Sequence, residues 1–291
     1  CTRRSRRGRG GRRIVKGPGR GGEGRRSSGH PPRVVGVVPA AGRARRLGSP
    51  AGSKELLPVY PDPRRPGRTL PVCYRLFDAF REASIPEAVV VLRTGKGDLR
   101  SRLEAGPPRA LEVEILELDD SPSSAFTIAT GTRRAGDATV ALGFPDVLWE
   151  GARAFSRLLE ALDDPRADAV LGLFPQAPDY PTHTVELGEA GRVLGFSGPG
   201  GVTGDRPAWT LAVWRPTVSR WIERAVEARY GAGARADAGA GELGMTEVFR
   251  GAIAAGLRFR GLEVSPAPFL DVGDPERLAE ARRRAEVARR D

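Results

Sequence analysis

Residues Val37 to Tyr60 read VVPAAGRARRLGSPAGSKELLPVY. The valines at 34, 35, 37 and 38 form the short apolar run of a buried strand, which breaks into a turn of Pro, Ala, Gly and Arg. A strand that opens into such a loop is the expected start of an α/β domain that binds a nucleotide. The small residues Ala40, Ala41 and Gly42 let the backbone approach a phosphate chain and point amide N–H groups at its oxygens. Arg43, Arg45 and Arg46 follow, and Lys54 stands eight positions after Arg46. Cations so placed suit a triphosphate, because they neutralise the charge that builds as pyrophosphate leaves. An Arg-rich loop is by itself also compatible with a solvated turn.

Strand and helix signals alternate outward from this loop. Short apolar or β-branched runs at 88–92, 111–118, 139–142, 169–174, 183–187, 209–214 and 258–264 predict strands. Helical spacing after Pro71 (Val72, Leu76, Phe77, Phe80) and at 151–162, 218–230, 246–255 and 275–290 predicts helices. This rhythm implies an α/β fold of three layers, with helices on both faces of a sheet and ligands beyond the carboxyl ends of its strands. The Gly/Ala-rich stretch 231–241 reads as a loop.

The chain has 291 residues, 40% of them apolar, enough to bury a core. Its net charge of +11 is concentrated at one end: residues 1–33 carry twelve basic groups and one acid, while 34–291 carry thirty-five of each sign. The expected organisation is a disordered Arg/Gly-rich tail, 1–33, and one domain, 34–291. The tail reads as an Arg/Gly nucleic-acid arm or as sequence upstream of the working protein; the start at Cys1 favours the second, so nucleic acid is not the expected partner. No run approaches the ~18 apolar residues of a membrane span and no apolar stretch follows the basic end, so the expectation is a cytoplasmic protein. Cys1 and Cys73 alone make no disulfide framework, and His30 and His183 are too few for a histidine metal centre.

Gly42, Arg46, Leu47, Ser53, Lys54, Leu57 and Pro58 resemble the G-x-G-T-R-[LM] … [PS]-K … L-P signature of the sugar-1-phosphate nucleotidyltransferases. This family includes glucose-1-phosphate thymidylyltransferase and UTP-glucose-1-phosphate uridylyltransferase. The resemblance, spanning about residues 34–285, implies a Rossmann-like nucleotidyltransferase fold with a mixed, mostly parallel central sheet. It implies that Arg46 and Lys54 are catalytic and hold the triphosphate and leaving pyrophosphate, with Ala40, Ala41 and Gly42 binding nucleotide. Ala44 replaces the second glycine of the signature and Arg45 its threonine.

Nucleotidyl transfer needs Mg²⁺, usually held by one or two carboxylates together with substrate and water. Asp146, after TVALGFP, matches the family's L-G-D or L-P-D position, and Asp271 in FLDVGDPERLAEA matches its W-x-D element, so both are the expected metal ligands. Asp274, before Pro275, is the expected N-cap of the last helix. Residues 119–129, DDSPSSAFTIA, occupy the place of a base-reading Q-P-x-x-x-G element, which assigns Asp119 and Ser124 to the nucleotide; an ionised Asp only accepts hydrogen bonds, where Gln also donates. Residues 241–255 are similar to the family's G-E-x-x-[IL]-T-D segment. Where the family's E-K-P lysine contacts the sugar phosphate, this chain has Phe196, Ser197, Gly198 and Pro199, so that contact falls to Arg192 or another arginine. His183 receives no role.

The expected reaction joins a nucleoside triphosphate, dTTP or UTP, to a sugar 1-phosphate such as glucose 1-phosphate, giving a nucleotide sugar and pyrophosphate, with a homo-oligomer left open. The alternatives are a cytidylyltransferase for another phosphorylated acceptor, a catalytically weak regulatory relative that binds nucleotide or sugar phosphate, and a nucleic-acid-binding protein.

Overall fold

The computed structural model describes residues 32–48, 52–106, 110–177, 180, 182–198, 206–231 and 241–288. Residues 1–31 of the Arg/Gly segment, Pro199, 232–240 of the Gly/Ala-rich loop and 289–290 of the expected last helix lie outside them.

The chain begins with β1 (Val34–Ala40), followed by the short hairpin β2 (Tyr60–Pro61) and β3 (Thr69–Leu70). Then come α1 (Cys73–Glu82), β4 (Glu87–Arg93), α2 (Gly97–Ala105), β5 (Glu112–Leu118), α3 (Ser124–Ala135) and β6 (Thr139–Gly143). β7 (Val147–Leu148), α4 (Ala154–Leu162), β8 (Ala169–Phe174), β9 (Thr184–Leu187), β10 (Val193–Ser197) and β11 (Ala208–Trp214) follow. The described chain closes with α5 (Pro216–Tyr230), α6 (Met245–Ala254), β12 (Phe259–Glu263), β13 (Leu270–Asp271) and α7 (Pro275–Val287).

β5, β4, β1 and β6 run parallel side by side, β11 lies antiparallel between β6 and β8, and β12 pairs parallel with β8. The sheet is therefore mixed and mostly parallel, as expected for an α/β nucleotidyltransferase-like fold. From β1 the chain moves outward to β4 and β5, then returns to β6 on the other side of β1. This reversal leaves a crevice at the carboxyl end of β1, the place where open α/β sheets bind ligands.

Alternation along β1 explains the two faces. Val35 and Val37 belong to the same apolar core as Ala125 and Ile128 of α3 and Phe249 of α6, whereas Val38 and Ala40 belong to that of Leu76, Phe77 and Phe80 of α1 and Phe155 of α4. Gly36 is required on the second face: a Cβ there would stand 2.6 Å from the Phe80 ring. Both faces are covered, which is why the central strands read as near-continuous apolar runs.

Two helices carry little or no label in the sequence. α2 buries only Leu99 and Leu103 among charged residues. α3 occupies the stretch taken as a base-reading element, with the Ser123 hydroxyl capping it by accepting from Phe126 N at 3.1 Å. At the other end of the domain Asp274 caps α7 as expected, accepting from Glu276 N and Arg277 N with Pro275 in the first turn.

Candidate functional site

Beyond β1 the loop passes through two single turns, Arg45–Leu47 and Lys54–Leu56. Ala44 sits in the left-handed region at φ 50°, which costs a side chain roughly 1–2 kcal/mol and a glycine almost nothing. That is the physical reason a glycine suits this position. The second turn is tied to the start of α2: Asp98 accepts from both the amide and the hydroxyl of Ser53 at 2.7 Å, and buried Lys96 donates to buried Glu55 at 2.6 Å. Burial pushes the Glu55 carboxyl up, with Lys96 pulling the other way. Lys54 is thus held between two anchored neighbours.

The two carboxylates that are far apart in sequence meet through β7 and β13, an antiparallel pair of two residues each in which Asp271 opposes Val147 and Val272 N donates to the Asp146 carbonyl at 2.9 Å. Asp146 forms an ion pair with Lys54, both side chains being largely buried. Asp271 accepts from Arg46 Nη2 at 2.9 Å, from the Tyr180 hydroxyl at 2.7 Å and from Gly273 N at 2.8 Å. Arg46 Nη1 also donates to the Tyr180 oxygen at 3.3 Å, and Arg277 lies over the Tyr180 ring. Burial would lower the Lys54 ammonium, but the charge and hydrogen bond of Asp146, with Asp271 and Glu55 nearby, hold it above its ordinary value. The hydrogen bond that Arg46 donates to Tyr180 and the charge of Asp271 raise Arg46, while burial and Asp271 push the Tyr180 phenol up to about 12. All three groups therefore keep their protons at neutral pH.

Gly273 closes this cluster, since a Cβ there would lie 2.8 Å from both Asp271 Oδ1 and Lys54 Nζ. Gly273→Ala is expected to displace these two groups, lowering any activity that depends on Lys54 and Asp271 ~10- to 100-fold, because ångström-scale misplacement of a positioned group costs that much. Both are side-chain ends that can shift, so the melting temperature should move little; an unchanged activity would contradict the close packing.

Arg46, Lys54 and Asp146 face a cavity of about 510 Å³, also lined by Ala41, Gly42, Arg43 and Ser124. Asp271 reaches its edge through Arg46 and Gly273. Ala40 lies beneath the loop in the core, 1% exposed, and the neighbouring Pro39 lines the cavity. Asp119 does not line it: its carboxylate accepts from Thr94 at 3.2 Å, and the adjacent Asp120 lines the cavity and pairs with Arg43 at 2.5 Å. One residue of loop register separates the two.

Among the described residues no group of three or more His, Cys, Asp or Glu could hold a metal. An all-protein cage is thus absent there; Asp146 lines the cavity and Asp271 stands behind Arg46 and Gly273, each carboxylate paired with a cation, and one or two carboxylates completed by substrate oxygens and water are what Mg²⁺ asks of a protein.

A second cavity, about 600 Å³, shares Ser124, Phe144 and Glu242 with the first and is lined by Thr182, His183, Trp209, Glu247 and Arg250. Arg192, the named alternative for the missing lysine, lines a different cavity with Arg258 and Arg260. Tyr180, Asp120, Glu242 and Arg250 had no individual signal in the sequence; the paired acids at 119–120 and the G-E at 241–242 came nearest to one.

No protein-family model matches the sequence, and no curated protein matches it. Solved structures share the fold. A protein described as a glucose-1-phosphate thymidylyltransferase of Bacillus anthracis, in complex with sucrose, superposes with a TM-score of 0.70 at 15% identity, covering 88% of this chain and 95% of that one. An inositol-1-phosphate CTP transferase from T. maritima gives a TM-score of 0.64 at 15% identity over 87% and 96% of the two chains. An apo UDP-glucose pyrophosphorylase gives 0.66 at 14% identity over 88% and 98%. Among the described residues no helix is long and apolar enough to cross a membrane.

Proposed function

We propose that the protein is a sugar-1-phosphate nucleotidyltransferase that joins a pyrimidine nucleoside triphosphate to a phosphorylated, hydroxyl-rich acceptor and releases pyrophosphate. The observation that carries this reading is the presence of two ion pairs, Lys54 with Asp146 and Arg46 with Asp271, beside a cavity at the carboxyl end of β1. The structural neighbours named for thymidylyl, uridylyl and cytidylyl chemistry support it.

An oxygen of the acceptor phosphate attacks the α-phosphorus; the bond from that phosphorus to the bridging oxygen breaks, and pyrophosphate leaves with the electron pair. The nucleophile is already an anion, so no general base is required, and the protein's task is to position two anions and spread charge. Ala41 and Gly42 leave room for the phosphates, Arg43 and Arg46 approach from the loop, and Lys54 stands at the cavity wall as a protonated donor. Asp146 and Asp271 would hold Mg²⁺, which when bound neutralises phosphate oxygens.

Asp120 favours a second reading of the base. A carboxylate in the cavity can accept from the amino group of cytosine but has no proton to offer a uracil or thymine carbonyl. Incubating the full chain and Mg²⁺ with ATP, GTP, CTP, UTP or dTTP and glucose 1-phosphate or inositol 1-phosphate tests both. Pyrophosphate release with a pyrimidine triphosphate is expected, CTP preference marks the second reading, and nucleotide binding without release selects a regulatory relative.

A further inference from the structure

We infer that the cavity where the β9–β10 turn meets the amino ends of β8 and β12 is a separate ligand site, which takes a phosphate monoester carrying a flat apolar group. This does not rest on the nucleotidyl-transfer reading. The cavity holds about 450 Å³, within the range of small-molecule sites, and shares no lining residue with the two adjoining cavities beyond β1. β8 runs in the same direction as β1, so the site lies at the opposite end of the sheet from them.

Two arginines stand opposite each other on its wall. Arg192, at the end of the turn, is bridged antiparallel to Arg260 of β12, and both side chains line the cavity. Like charges opposed across strands repel, and an anion between them reverses that penalty. The other two arginines on the wall are engaged: Arg166 with Asp164 at 3.0 Å and Arg258 with Asp168 at 3.3 Å. Asp164 comes only within 4.0 Å of Arg260, Glu189 is the other acid on the wall, and no side chain among the described residues pairs with Arg192. The backbone beneath Arg192 is fixed. Gly188 N donates to its carbonyl at 2.8 Å, and the turn is pressed so close to β12 that a Cβ on Gly191 would stand 2.8 Å from the Gly261 carbonyl oxygen.

The floor is apolar: Val193 and Phe259 are buried, and Ile253 and Leu257 pack half-buried against the same core. Such a floor favours a flat apolar group over a hydroxyl-rich ring. The wall selects the anion. A carboxylate has two oxygens, enough for one guanidinium fork, whereas a phosphate monoester offers three oxygens and nearly two negative charges, enough for both Arg192 and Arg260.

The test is calorimetry on the full-length protein with phenyl phosphate and with inorganic phosphate as probes. Arg192→Gln and Arg260→Gln should each weaken phenyl phosphate ~10- to 100-fold, the scale of a lost charge-assisted hydrogen bond. Inorganic phosphate should bind the wild type weaker by a similar factor, for want of a ring to bury. Lys54→Ala, in the cavity beyond β1, should change the affinity for phenyl phosphate less than about twofold. Thermal melts check that each variant folds, and because Arg192 is exposed its variant carries the test if Arg260→Gln does not. Equal affinity of Arg192→Gln and wild type for phenyl phosphate would overturn the inference. So would binding no tighter than that of inorganic phosphate, loss of binding in Lys54→Ala, or no binding at all.

Discussion

Lys54→Ala is expected to lower pyrophosphate release at least ~100-fold, the scale of losing one preorganised contact to a developing charge. Lys54 is poised for that role because burial and two carboxylates fix its position, while the pins at Ser53 and Glu55 hold its backbone. Its raised pKa sets the sign of the pH response. In the metal-free protein the ammonium's contribution to stability is complete below the ordinary 10.5 and is lost only as pH rises through the higher folded value, so thermal melts without metal should show no loss from Lys54 near pH 7 to 9. Truncation also leaves Asp146 without its buried partner, so a thermal melt accompanies the assay; Lys54→Arg, which keeps the charge, should retain more activity than Lys54→Ala at equal stability. Arg46→Ala should cost turnover on the same scale but less stability, because that side chain is 57% exposed. Normal pyrophosphate release by either alanine variant would remove that residue from the site.

The double substitution Asp146→Asn, Asp271→Asn is the second large effect. Asparagine keeps the shape and removes both charges, so turnover at low Mg²⁺ should fall ~100-fold or more, by loss of the several kcal/mol that a metal contributes to charge stabilisation. The half-maximal Mg²⁺ concentration should rise as well. Chelating the metal from the wild-type protein should abolish release, and a double variant with normal Mg²⁺ dependence would place the metal elsewhere. In the same variant the buried Lys54 keeps only Glu55 of the three acids that raise it, so burial should bring its pKa down.

The central sheet was legible because strands covered on both faces are written as unbroken apolar runs, as in Val34–Ala40 and Ala169–Phe174. Arg46, Lys54, Asp146 and Asp271 were readable from the loop and the strand ends, and the structure brings them together. What joins them was not readable: β7 and β13 are two residues long, too short for any periodicity, and their pairing links positions 122 and 124 residues apart. α2 escaped because two leucines among charged residues make a weak apolar stripe, although its first turn anchors Lys54. Asp119 and Asp120 are chemically identical in sequence, and only the path of the loop decides which one faces the cavity. Tyr180 and Arg250 are single side chains whose neighbours are set by tertiary packing alone.

The most direct test is to identify the products formed by the full-length protein with Mg²⁺, a pyrimidine triphosphate and glucose 1-phosphate or inositol 1-phosphate. Mass spectrometry should find the nucleoside monophosphate joined to the acceptor phosphate, with one pyrophosphate per product, and Lys54→Ala should form at most about 1% as much under the same conditions. Release of orthophosphate in place of pyrophosphate, or equal product from Lys54→Ala, would contradict attack at the α-phosphorus in this cavity.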